Sequence, residues 1–161
     1  MLDEIDTTIV KILQHDARTS NADIARQLGM APSAILERIR KLEARGVIRG
    51  YHAEINPEAI DLGLLAFVFV RADERVGSGV SGEELARIPE VQEVHHIAGE
   101  DCYLVKVRVA DTNALGRLLR DGFGAIPALR STRTTIVLTT LRESSALPLP
   151  ATSPERENAR V

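Results

Sequence analysis

At 161 residues, with 44% hydrophobic and 27% charged side chains, the chain has the composition of a globular protein holding one ordinary domain or two small ones. Its net charge of −3 excludes a uniformly basic nucleic-acid binder but leaves room for a local basic patch. No apolar run reaches the roughly 20 residues of a membrane span, the acidic start MLDEIDTTIV lacks the order of a signal peptide, and the single cysteine, Cys102, excludes an internal disulfide framework and suits a reducing cytoplasm.

Residues 3–15 place Ile5, Ile9, Ile12 and Leu13 on one face, with acids in the first turn, and predict an amphipathic helix. HDARTS breaks it. Ser20, followed three residues later by Asp23, reads as a capping box opening a second helix that buries Ile24, Ala25 and Leu28 and ends at Gly29. Pro32 suits the first turn of a third helix, with Ile35, Ile39 and Leu42 at helical spacing and a stop at Gly46. Residues 47–55 (VIRGYHAEI) look extended, and Asn56-Pro57 marks a turn.

From Leu64 the pattern changes to strands and short helices. LLAFVFVRA (64–72) is β-rich, 82–88 is a short helix ended by Pro89, and 91–99 and 102–110 are strands around Gly99-Glu100-Asp101. A helix over 112–123 and a Thr/Val strand over 130–141 complete the order βαββαβ, which closes as a ferredoxin-like sheet with helices on one face. Tyr103, Val105, Val107 and Val109 alternate with Leu104, Lys106 and Arg108, so a mixed second face is left needing a partner; we read it as a homodimer surface. The last stretch, SSALPLPATSPERENARV, has the Ser, Pro and charge content of a mobile tail. The expected fold class is therefore α+β. It comprises a winged-type helix-turn-helix domain (1–50), a linker strand and turn (51–63), a ferredoxin-like βαββαβ sandwich domain (64–142) and a disordered tail (143–161).

The helices around Gly29 serve equally as a plain hairpin or as a device that lays its second helix on DNA. Spacing and charge decide. Ala25, Gly29 and Ile35 allow a close crossing that projects the third helix from the body. Between Ala31 and Arg49 five basic residues (Arg38, Arg40, Lys41, Arg45, Arg49) face only Glu37 and Glu43, whereas residues 1–30 are net acidic. Phosphate neutralisation needs basic charge on that helix. The candidate contacts with double-stranded DNA are Pro32, Ser33, Ala34, Glu37, Arg38, Arg40 and Lys41. Ser33, Ala34 and Glu37 are short enough for base edges, Glu37 as an acceptor from cytosine N4. Arg38 and Lys41 are placed for phosphates.

Residues 2–63 closely resemble the N-terminal domain of Lrp/AsnC transcriptional regulators, also called feast/famine regulatory proteins. The elements carrying the resemblance are Leu2-Asp3 with Asp6, Asp16-Ala17-Arg18, Ile24-Ala25 with Leu28-Gly29, Arg38 through Leu42-Glu43, and Gly46-Val47-Ile48. The βαββαβ half is similar to that family's amino-acid-sensing domain. One departure is Ala31, where the family has a capping Ser. The resemblance implies a non-catalytic regulator without a cofactor, whose dimers assemble further and respond to a small amino acid. In such a pocket, amides near the glycine-and-acid turn bind the carboxylate and an acid takes the ammonium. The matching positions are His96, Gly99, Asp101, Cys102, Thr112, Ile136 and Val137. Relatives carry the acid where this chain has Cys102; either Asp101 substitutes, or a different ligand or none is bound. The cluster HHIAGEDC matches no zinc spacing, since His95 and His96 point to opposite faces of a strand. An enzyme reading lacks a nucleophile or a nucleotide loop. An effector-independent architectural DNA-binding protein shares the head and differs only in the pocket.

Overall fold

The computed structural model describes residues 2–75 and 78–149. The chain divides into two compact units. One comprises the residues up to Glu54 together with those from Glu143 onward; the other is Ile55–Arg142.

The first unit is a three-helix head. Helix α1 (Glu4–His15) opens at Asp3, whose side chain accepts the Asp6 amide. Helix α2 (Asn21–Leu28) opens at Ser20, whose hydroxyl accepts the Asp23 amide. It closes at Gly29, where φ is 64° and Met30 N–H reaches back to the Ala25 carbonyl, the left-handed ending that glycine adopts without cost. Helix α3 (Pro32–Ala44) ends the same way, with Gly46 at φ 68° and Val47 N–H on the Leu42 carbonyl. Ile9, Ile24, Ala25, Ile35, Ile39 and Leu42 are buried together as one core.

Residues 47–55 form no strand among the described residues. A strand needs a ladder partner; here the segment is exposed at Tyr51 and Ile55, and it is tied back to α3 by Val47 N–H and Ile48 N–H on the Leu42 carbonyl and by Tyr51 Oη donating to Glu43. Among the described residues the head thus carries no paired wing of its own. A 3-10 turn at Pro57–Ile60, opened by the Asn56 side chain accepting from Glu58 N–H, follows.

In the second unit, strands β1 (Leu64–Ala72), β2 (Val91–His96), β3 (Tyr103–Val109) and β4 (Leu129–Ile136) form one antiparallel sheet in the order β2-β3-β1-β4. Helix α4 (Val80–Leu85) joins β1 to β2. Helix α5 (Thr112–Arg117), capped by Asp111, joins β3 to β4 and runs into one wider turn at Leu118–Gly122 and a 3-10 turn at Phe123–Ala125. The expected single helix over 112–123 therefore changes pitch halfway. On the helix side Ala66, Val68, Val70, Tyr103, Val105 and Val107 meet Leu85, Leu115, Leu118 and Phe123 in the core.

Two strands are shorter than their patterns suggest. β4 stops at Ile136, which pairs with Ala66 two residues after β1 begins, so 137–141 have little strand left to bind. β2 stops at His96, opposite the first residue of β3. At the other end of the chain, residues 143–149 lie with the head, Leu147 pairing with Gln14. The remainder of the expected tail, 150–161, lies outside the described residues.

Candidate functional site

Helix α3 buries Ile35, Ile39 and Leu42. At 100° per residue this turns Ser33, Glu37, Arg40, Lys41 and Ala44 outward, and Ser33, Glu37, Arg40, Lys41 and Arg45 are all exposed. Ala34 is half-buried on the flank, and Pro32 is exposed at the helix start. Lys41 Nζ lies 3.6 Å from Glu37 Oε1 one turn away, so the acid is balanced by a neighbour of its own. Ala31 makes no side-chain cap. Pro32 has no N–H to satisfy, and Ala34 N–H bonds the Ala31 carbonyl.

Arg38 points elsewhere. Its guanidinium bonds Asp3 Oδ2 and Asp6 Oδ1, both at 2.7 Å, fastening α3 to the first turn of α1. The amide of Asp6, and after it the Arg38 guanidinium, hold the Asp3 carboxyl below its ordinary pKa; the same two carboxylates raise that of Arg38. Its charge is neutralised inside the head. Arg45, absent from the expected contacts, lines the same flank of α3 as Ala34, Arg38 and Lys41; its position one turn beyond Lys41 was the available signal.

In the sheet unit the β2–β3 turn is tightly tied. Gly99 has φ 144°, a conformation that L side chains rarely adopt. Ile97 N–H bonds the Cys102 carbonyl at 2.9 Å, and Cys102 N–H bonds the Val70 carbonyl at 2.8 Å. Cys102 Sγ accepts from Ala72 N–H at 3.4 Å and donates to its carbonyl at 3.5 Å. Asp101 accepts from Arg133 at 3.0 Å, and Arg133 stacks 4.0 Å over the Phe69 ring. Arg71 Nε donates to the Glu100 carbonyl. Beside the turn, the His96 ring lies 5.2 Å from that of Tyr103, whose hydroxyl donates to Glu74. Burial first, then Glu74, pushes the Tyr103 hydroxyl up to about 12.

His96, Gly99, Asp101 and Cys102 therefore converge at the end of the sheet where β1 reaches Val70. Thr112, Ile136 and Val137 do not join them. Ile136 pairs with Ala66, and Val137 N–H bonds the Leu65 carbonyl. Thr112 follows β3, whose last residue pairs with Leu64. Within one chain the two sets lie at opposite ends of β1, about 14 Å apart from Ala66 to Val70 at roughly 3.4 Å per residue. Arg71 and Arg133, which anchor the turn, are residues the pattern did not single out; arginines in alternation on neighbouring strands were the only hint. Among the described residues no group of three His, Cys, Asp or Glu is arranged to hold a metal.

A helix-turn-helix head with exposed basic side chains on its outer helix, followed by a ferredoxin-like sheet, is the architecture of a DNA-binding regulator. Residues 2–43 match the AsnC-type helix-turn-helix domain and residues 65–147 the Lrp/AsnC ligand binding domain. The HTH-type transcriptional regulator FL11 of Pyrococcus horikoshii is 41% identical over 92% of this chain and 97% of its own. The leucine-responsive regulatory protein of Escherichia coli K12 is 36% identical over 91% and 90%. Among solved structures, the feast or famine regulatory protein of M. tuberculosis complexed with L-methionine superposes with a TM-score of 0.85 at 37% identity, covering 93% of this chain and all of that one. A Neisseria meningitidis regulator, also with L-methionine, gives 0.84 at 28% identity over 92% and 97%. The chain belongs to the Lrp/AsnC family of transcriptional regulators.

Proposed function

We propose that this regulator is a cytoplasmic, non-catalytic homodimer that reads double-stranded DNA with α3 and changes its assembly when a small amino acid binds the Gly99–Cys102 turn. The observation that carries the DNA assignment is the outer face of α3, where Ser33, Glu37, Arg40 and Lys41 are exposed while Arg38 is held by α1. Ser33, Ala34 and Glu37 approach base edges; Pro32 sets the helix start; Arg40, Lys41 and Arg45 meet phosphates, and Arg38 orients the helix. Two heads per dimer address half-sites about one helical turn apart.

The effector reading is supported by the braced turn and by the methionine complexes of two relatives. Amides near Gly99 receive the carboxylate, and Asp101 shares its charge between Arg133 and the ammonium. Because Thr112, Ile136 and Val137 lie at the far end of the same sheet, a second copy must bring its own set to the turn of the first. A pocket completed between copies links ligand binding to assembly directly. The relatives, transcriptional regulators, support the absence of catalysis. The test is a selection from random duplex DNA followed by salt titration of the recovered sites. Glu37→Ala should alter the recovered sequence more than the overall affinity; an identical recovered sequence would refute the base-reading role of Glu37.

A further inference from the structure

The exposed side of α1 carries an arrangement that neither DNA reading nor effector binding uses. Gln14 Nε2 donates to the Leu147 carbonyl at 2.8 Å, and Gln14 Oε1 accepts the Leu147 N–H at 2.9 Å. One carboxamide thus satisfies both backbone groups of one residue, as a neighbouring strand would. Lys11, Gln14 and His15 face Ala146, Leu147 and Leu149 across the hollow where they meet. The segment is shaped for this contact. Ser144 Oγ accepts from Ala146 N–H at 3.1 Å, and Pro148 biases Leu147 toward the extended backbone that a two-point pair requires.

We infer that Ser144–Leu149 is a strap that docks on Gln14 and ties the head to the sheet unit a second time. The chain leaves the head after Glu54 and returns to it at Glu143, so the sheet unit is an insertion between two head segments. The strap leaves Ser33, Glu37, Arg40 and Lys41 exposed. It therefore does not block α3; it narrows the range over which a head can search. In a dimer that raises the effective concentration of the second head at the second half-site. Its effect belongs to paired sites and not to single ones, and this consequence rests on the DNA reading above.

The test uses the full chain and its Gln14→Ala variant, which leaves the head core intact because Gln14 is exposed. Hydrogen exchange should show the Leu147 amide about tenfold slower than an unstructured amide, the factor equivalent to about 1.4 kcal/mol of exposed pairing. Gln14→Ala should abolish that protection, weaken binding to DNA carrying two half-sites by several-fold, and leave a single half-site unaffected. An unprotected Leu147 amide in the wild type, or protection that survives Gln14→Ala, overturns the strap. Equal loss on single and paired sites, or no loss on either, overturns its role as a tether. If the wild type binds no DNA at all, the DNA reading fails, and the exchange measurement still decides whether the strap exists.

Discussion

Arg38 and Lys41 stand one turn apart on α3 in different surroundings, Arg38 held by Asp3 and Asp6 and Lys41 exposed beside Glu37. Removing Arg38 strands the Asp6 carboxylate, whose side chain is only 13% exposed; Arg38→Ala should cost about 2 kcal/mol in urea unfolding while leaving the salt slope of DNA binding unchanged. Lys41→Ala should lower that slope by about 0.9 with no loss of stability. Equal salt slopes for the two variants would contradict the division. Asp3 adds a pH signature. Its folded pKa lies below the ordinary 3.8, so its stabilisation is complete above that value and is lost as pH falls through the lowered one. The urea midpoint should drop below pH about 4, and less steeply in Asp3→Asn. Tyr103 has the reverse sign: a hydroxyl raised to about 12 stabilises fully below its ordinary value near 10 and loses that contribution as pH rises through 12. Tyr103→Phe should flatten an alkaline transition followed by circular dichroism. The Ser20 cap is legible in the sequence because it acts over three residues. The Arg38 partners are not, since they lie 35 and 32 residues away and only the packing of α1 on α3 brings them together.

At the scale of elements, α3 begins without a side-chain cap. Ala31→Ser should supply one and add about 1 kcal/mol, read as a higher urea midpoint. Helix α4 meets the sheet at Gly82, where a Cβ would lie 2.7 Å from Tyr103 Cε1. The ring is buried and pinned through its hydroxyl to Glu74, so it has no room to give. Gly82→Ala should destabilise by about 2 kcal/mol; a neutral result would mean the ring moves freely. The three head helices and β1 were readable because capping residues and apolar spacing are local signals. The ends of β2 and β4 were not, because a strand ends where its partner does, and the partner is chosen by long-range register. The same register separates Ile136 and Val137 from the Gly99 turn, a fact of pairing that no local pattern states.

The whole molecule joins a head that offers α3 to a sheet with one face covered by helices and the other showing half-buried Phe67 and Phe69. We propose that a second copy covers that open face. Phe67→Asp should shift the full chain toward monomer in light scattering, and an unaltered mass would refute the dimer face. We read the braced turn as the sensor of an amino acid, and differential scanning fluorimetry of the full chain against the twenty amino acids is the decisive measurement. A cognate ligand at 100 times its dissociation constant should add about 2.7 kcal/mol, a shift of several degrees in Tm. The expected result is a selective shift that Asp101→Ala abolishes. No shift with any amino acid, or one that survives in Asp101→Ala, would contradict it.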